Sequence, residues 1–560
     1  MTLRNLLPLA AGMMLALNAC TENAGHTPSG DGLVRINAAH IYTMNPQQPE
    51  VDSLVYDAQG KILETGHRDA LAKRYPEAEV LDFEGQTIIP GLIDAHGHLY
   101  NLGVTKMQAN LVGAESLEEA LERLQEHAQQ LPEGSWLLGR GWDQNDWPGQ
   151  AFPTNLDLDA LFPDRPVWLR RVDGHAAWAN SAAMDLVKQR LEGEWQPDGG
   201  LIMRNEDGTP NGIFIDGAMD LVQAAVPVAD EALMERALDY ALEETARFGL
   251  TGVHEAGTSW PLLQLYLKRS REGRLPLRVY AMADGANETL ARLCEMGPIE
   301  DDAGRVLARS VKLYADGALG SRGAAMIEPY TDAPETKGLL FHKNQALLSL
   351  VAKAMGCGLQ VNTHAIGDAA NQQVLDTYQD AMEQVPNHLG RHRIEHAQIV
   401  QVEDISRFRE LGLIASMQPT HATSDMPWAE QRVGSERILG GYAWQRFISA
   451  AVPLALGSDF PVESANPLFG LYSAIARADH EGMPEDGWYP DQRLSIQQAI
   501  AGFTRDAAYA AFMEDEVGQL KAGLRADFVV LDENIMDLKA EEILDLKVVS
   551  TWIDGVAVYQ

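Results

Sequence analysis

Short apolar runs alternate with amphipathic stretches along most of the chain, and their spacing predicts an α/β architecture. Eight runs read as strands: Ile88 to Asp94, Thr251 to Glu255, Arg278 to Met282, Ser310 to Tyr314, Leu359 to Thr363, Arg393 to Glu395, Ile414 to Gln418 and Pro453 to Gly457. Between them, stretches such as Ala232 to Phe248 and Gln345 to Met355 space apolar residues three and four apart, the period of a helix with one buried face. Eight such units predict a (β/α)8 TIM barrel over residues 88–514. The gap between the first two strands is too long for one crossover helix. Residues from about 106 to 230, rich in Trp and Gly, are therefore expected to be an insertion after the first barrel strand, over the barrel mouth. Both ends of the chain have a different texture, with short apolar runs broken by turn residues, as in Ser53 to Leu63, Ala526 to Leu531 and Val548 to Gly555. They predict one small β-sandwich domain built from residues 33–87 and 515–560.

Side chains able to hold a metal recur at the ends of these runs. Asp94-Ala95-His96-Gly97-His98 follows the first, Thr363-His364-Ala365 the fifth, Ile394-Glu395-His396-Ala397 the sixth and Gly457-Ser458-Asp459 the eighth. Barrel enzymes place their chemistry at the C-terminal ends of the strands, so the four stations predict one centre at the barrel mouth. Alternate residues of a strand share a face, which would turn His96 and His98 inward together as a pair of imidazole ligands suited to zinc.

Charge narrows the partners. Eighty acidic residues against 44 basic ones give a net charge of -36, dispersed without blocks, which argues against nucleic acid or anionic lipid and for a solvated acidic surface. The first residues carry Arg4, an apolar run from Leu6 to Leu17, then Leu17-Asn18-Ala19-Cys20. This resembles a bacterial lipoprotein precursor, with residues 1–19 as signal peptide, Cys20 as the lipidated first mature residue and residues 20–32 as a flexible tether. Thr21 in place of Asp points to the periplasmic side of the outer membrane, with Cys20 as the sole membrane attachment. Cys294 and Cys357 remain; two buried thiols are the favoured reading, with a single bridge between them left open.

The stretch Pro90 to His98 resembles the metal-site signature of the amidohydrolase superfamily. Gly141-Trp142-Asp143, Asp173 to Ser181, Lys312 to Gly317, His364 to Asp368 and Gly457 to Pro461 resemble the branch of YtcJ-like proteins and N-substituted formamide deformylases. The resemblance implies that His96, His98 and Asp459 hold one divalent cation, that His364 and His396 hold a second, and that Lys312 bridges both after carboxylation by carbon dioxide. An unmodified ammonium has no lone pair to offer, and burial beside metals would free the neutral amine that captures carbon dioxide. Zinc is the expected metal. Metals about 3.5–4 Å apart ionise a shared water and polarise the scissile carbonyl, with Asp459 as the proton carrier and Lys312 as the second catalytic residue.

The implied reaction is hydrolysis of a C–N bond in an amide or N-acyl compound by a metal-activated hydroxide, on a small-molecule substrate. The same centre would also serve an ester, a lactone, a cyclic amide or a deamination; a binding lipoprotein without catalysis is the alternative of another class. No Gly-x-Ser-x-Gly elbow supports a serine hydrolase. Substrate contacts are expected from His175 in the insertion, His254 at the end of the second strand, Arg322 as a carboxylate partner, and Trp142, with Trp147, as an apolar wall. A homo-oligomer is compatible with the sequence.

Overall fold

The computed structural model describes residues 32–560, apart from residues 133, 172–175, 198–199, 228–229 and 286–287. The signal peptide and nearly all of the tether, with Cys20, lie outside the described residues, as does His175. Eight parallel strands form the barrel sheet: β1 (Leu92–Gly97), β2 (Leu250–Thr258), β3 (Arg278–Asp284), β4 (Val306–Tyr314), β5 (Gln360–Ala365), β6 (Arg393–His396), β7 (Ile414–Met417) and β8 (Leu454–Leu456). They are hydrogen-bonded in that sequential order from β1 to β8. Their outer faces and the surrounding helices share one large apolar core, including Leu238, Leu263, Leu347, Val374 and Phe447.

The first strand departs from the sequence reading. The apolar run through residues 87–93 is shared between two sheets: the strand Glu79–Pro90 belongs to the small domain, and β1 begins only after Gly91. A periodicity argument sees one continuous hydrophobic run and cannot register the change of partner. In consequence β1 ends at Gly97, and His98 is the N-cap of the helix α1 (Leu99–Lys106) rather than a strand residue.

The small domain draws seven strands from both termini into one hydrogen-bonded sheet, with Glu79–Pro90 lying between Val34–Tyr42 and Phe528–Leu531. Phe528 is in register with Pro90, seven residues along the strand from Phe83. A straight strand would separate those positions by about 23 Å, yet the rings of Phe83 and Phe528 are 6.5 Å apart, and both meet Trp552. The sheet therefore curls over an apolar core, the sandwich expected from the sequence. A buried clamp fixes it to the barrel: Arg278 at the start of β3 pairs with Asp527 at 2.7 and 2.9 Å and with Asp554 at 2.6 Å.

After α1 the chain builds a separate six-stranded sheet, from Ala109–Asn110 to Pro210–Asp216, and returns to the barrel in helix α2 (Glu231–Arg247), whose N-cap Asp230 accepts from Leu233 N at 2.8 Å. Cys294 and Cys357 are joined by a disulfide, with Cα atoms 5.0 Å apart, which corrects the expectation of two thiols. The first lies in the helix after β3 and the second caps the helix after β4. Consecutive helices of a barrel are neighbours on its outer ring, so a sequence separation of 63 residues conceals a short distance. No helix among the described residues is long and apolar enough to cross a membrane.

The barrel closes between β8 and β1 through a side chain in place of a strand ladder. Asp94 of β1 accepts from Ser458 N at 3.1 Å, from Ser458 Oγ at 2.7 Å and from His96 N at 3.0 Å. Asp459 N then donates to His96 O at 2.7 Å and His98 N to Phe460 O at 2.8 Å. Gly457 is required at this seam, since a Cβ there would stand 2.5 Å from both Asp94 Oδ1 and His96 N. Gly457→Ala should therefore lower unfolding free energy by about 1–3 kcal/mol, the usual range for an overpacked site, as read by denaturant unfolding. An unchanged midpoint would mean that the seam yields without cost.

Candidate metal centre

Every ligand station predicted from the sequence is at or just past the C-terminal end of its barrel strand, and the six predicted groups, buried or half-buried, converge there. The donor atoms of His96, His98 and Asp459 lie within 4.8 Å of one another, as do those of His396, His421 and Asp459. His98 Nε2 is 3.1 Å and His96 Nε2 3.7 Å from Asp459 Oδ1. The rings of His96 and His396 are 4.8 Å apart and those of His364 and His396 4.5 Å. Lys312, at the end of β4 and 1% exposed, sets its Nζ 2.9 Å from His96 Nε2.

Outer residues orient these imidazoles. His96 Nδ1 meets the carboxylate of Glu395, His98 Nδ1 donates to Ala256 O at 2.9 Å, and His396 Nδ1 donates to Gln418 Oε1 at 2.8 Å. The contacts of His96 and His396 fix the tautomer that leaves the Nε2 lone pair toward the centre, the arrangement usual around metal-binding histidines, while His98 turns its Nε2 to Asp459. Glu395 is itself held by Arg393, with Oε1 2.7 Å from Nε and Oε2 3.0 Å from Nη2. Glu255 accepts from Leu99 N in the first turn of α1, so it steadies the turn that presents His98. Asp316 accepts from Ala325 N at 2.8 Å, Ile366 N at 3.0 Å and Gly367 N at 2.8 Å, tying the loop after β4 to the loop after β5. Two site residues have left-handed backbones, His396 at φ 73° and Asp459 at φ 63°, a conformation that side-chain-bearing residues keep only where the surroundings enforce it.

The electrostatics suit cations. Burial, reinforced by the Lys312 charge, lowers His96 to about 4 and His364 to about 3, and burial holds His396 well below its ordinary value. All three are neutral near pH 7 and offer lone pairs. Burial works against the Asp459 carboxylate, but its hydrogen bond to His98 and the surrounding imidazoles outweigh that and hold it ionised. Burial also brings Lys312 down to about 8, partly opposed by Glu395 and Asp459. His364 Nε2 and His421 Nε2 are buried with no hydrogen-bond partner among the described residues. An unpartnered buried polar atom costs about 1–3 kcal/mol. Neutral imidazoles, a carboxylate and unpartnered donor atoms in one pocket fit divalent cations bound through N and O.

The expected substrate contacts fare differently. His254 is in the middle of β2, not at its end, and its Nδ1 accepts from Arg393 Nη1 at 2.8 Å inside the barrel, one layer below the centre. Strand β2 runs three residues further than its apolar pattern implies, which moves His254 away from the mouth. Trp142 is fully buried in the core of the insertion, its Nε1 donating to Leu169 O at 2.9 Å and its ring packed on Trp147 and Trp178. Trp147 is buried in the same core and donates to Ala114 O at 3.0 Å. A Trp-rich insertion needs those rings for its own core, so neither walls a substrate pocket. Arg322 is half exposed and paired with Asp332 at 2.7 Å, its charge already matched. Glu395, Glu255, Asp316 and His421 were missed by sequence reasoning. His421 had a signal, since it follows the predicted seventh strand by three residues.

Known proteins resemble this chain over nearly its whole described length. The model of the amidohydrolase family matches residues 79–559. YtcJ of Bacillus subtilis (strain 168), which carries an amidohydrolase name, is 33% identical over 528 residues, covering 93% of this chain and 98% of that protein. An N-substituted formamide deformylase of Arthrobacter pascens is 29% identical over 89% of this chain and 92% of its own. The crystal structure of an uncharacterized metal-dependent hydrolase from Pyrococcus horikoshii superposes with a TM-score of 0.78 at 28% identity, covering 91% of this chain and 99% of that one. A family match that runs from the small sheet through all eight barrel strands leaves one conclusion: this chain belongs to the amidohydrolase family and is a metal-dependent hydrolase.

Proposed function

We propose that the enzyme hydrolyses a C–N bond of a small amide or N-acyl compound at a two-cation centre, zinc being the expected metal. The observation that carries the reading is the convergence of His96, His98, His364, His396 and Asp459, with Lys312 among them, at the barrel mouth. The deformylase relative supports the C–N choice, since that protein is named for removing an N-formyl group. His96, His98 and Asp459 would hold one cation, and His364 and His396 the other. Such a pair supplies Lewis-acid polarisation of the scissile carbonyl and acidifies water.

Asp459 takes a proton from the attacking water and returns it to the departing nitrogen, giving one acid and one amine from one amide and one water. Its neighbours keep it ionised and so ready to accept that proton, and it reaches His98 at 3.1 Å. Lys312 would contribute through carboxylation: its neutral amine attacks carbon dioxide, forming an N–C bond and releasing one proton, which would turn a cationic side chain into an anionic one suited to holding cations. Burial brings its pKa down to about 8, which enlarges the share of neutral amine available to carbon dioxide.

The chain is further proposed to be anchored through Cys20 on the periplasmic side of the outer membrane. The lipobox-like Leu17 to Cys20 supports this, and so does the Cys294–Cys357 disulfide, a bond that persists in oxidising compartments.

Three outcomes test these readings. Asp459→Asn should reduce turnover by at least ~10²-fold, the lower range for general acid–base catalysis, on N-acyl amino acids and N-formyl amines. Metal-loaded wild type that releases product only from esters or lactones would replace the C–N assignment, turnover only of cyclic amides would replace the open-chain substrate, and turnover of none of them would leave a binding lipoprotein. Lys312→Ala should lose activity together with about one equivalent of cation, and short carboxylic acids should restore part of both; full metal content and full rate would remove Lys312 from the centre. Cys20→Ser should abolish lipid labelling and membrane fractionation, whereas unlabelled, wholly soluble wild type would end the anchoring proposal.

A further inference from the structure

We propose that His421 is a further ligand of the second cation, and that His421 and Asp459 Oδ2 join His364 and His396 there, on the β7 side of the mouth, beside the position of His96, His98 and Asp459 Oδ1. The proposal rests on the metal-hydrolase reading and adds a station to it, at the end of β7, where the sequence showed no ligand.

His421 belongs to the helix α3 (Pro419–Asp425), which starts directly after β7. Its Nε2 is buried, has no hydrogen-bond partner among the described residues and lies 3.7 Å from Asp459 Oδ2. That spacing is too long for a hydrogen bond and short enough for both atoms to face a common ion. The His421 ring stacks on His396 with centroids 5.8 Å apart and an interplanar angle of 19°. Gln418, the N-cap of α3, holds His396 Nδ1 at 2.8 Å, so the turn that delivers His421 also fixes the tautomer of His396. Two imidazoles set by one turn, with donor atoms within 4.8 Å of each other and of the Asp459 carboxylate, form a built site.

Asp459 divides its oxygens between the two positions. Oδ1 faces His96 and His98 at 3.7 and 3.1 Å, and Oδ2 faces His421. A structural role for His421 would leave its Nε2 desolvated and unpaired; ligation gives it a partner. Asp425, one helical turn further, is held by Tyr442 Oη at 2.6 Å and Gln398 Nε2 at 2.9 Å and so supports the helix without competing for that nitrogen.

The test is equilibrium dialysis of the full mature chain against graded free zinc, with metal counted by mass spectrometry, and cobalt substitution read by visible absorption. Wild type should bind two equivalents. His421→Ala and the size-retaining His421→Gln should weaken one equivalent by at least about tenfold, the low end for losing a partner of a metal site, and alter the cobalt spectrum, while circular dichroism and the melting transition remain those of the fold. Two equivalents held in both variants with wild-type affinity and spectrum would overturn the role of His421 while leaving the hydrolase reading intact. A folded wild type that binds no zinc or cobalt would overturn both.

Discussion

The contact between Asp94 and the Ser458 turn is the constraint on which the site depends. The eight strands pair in sequence, but β8 and β1 meet without a ladder, and the carboxylate of Asp94 accepts both the amide and the hydroxyl of Ser458 across that gap. Burial pushes Asp94 up to about 7, with its Ser458 and His96 bonds drawing it back. The two residues are 364 positions apart, so this bond, with the backbone bonds beside it, joins the two ends of the barrel and aligns its ligands. With Asp94 in place, His96 O accepts from Asp459 N, and the metal-binding ends of the first and last strands are held edge to edge.

Below the metal layer, a second buried group governs the chemistry. Arg393 is fully buried and donates to His254, Ala95 O, Glu395 and Ser416. A guanidinium desolvated in this way is stable only when its donors are matched. The match holds Glu395 ionised, and its Oε2, which accepts from Arg393 Nη2, also meets His96 Nδ1 and orients that ring. The barrel interior thus transmits order upward: a fixed cation, a fixed carboxylate, a fixed imidazole tautomer, and a lone pair at the mouth. His254 takes part at the base of this chain, and for that reason it is unavailable to a substrate.

The candidate site was legible in part. His96, His364, His396, Lys312 and Asp459 stand out in sequence because each ends an apolar strand, and strand ends converge in a barrel whatever the loops do. The supporting residues were not legible. Glu395 is next to His396 in the chain but serves His96, 299 positions away, and no local pattern shows that pairing. Trp142 and Arg322 misled for the same reason: an aromatic in a Gly-rich loop and an Arg beside a strand end have the same local signature whether they face a substrate, a private core or a surface partner.

By itself the sequence determined the class of fold, the eight strands, the two-ended sheet domain, the inserted segment and the ligand types, because hydrophobic periodicity and residue chemistry are local properties. Tertiary structure alone decided where the first strand breaks between two sheets, that Cys294 and Cys357 bond, that His254 is structural, and that His421 faces Asp459. Each of these depends on which distant segments become neighbours once the barrel closes. That closure is a cooperative outcome of packing and buried hydrogen bonds, and no window of the chain contains it.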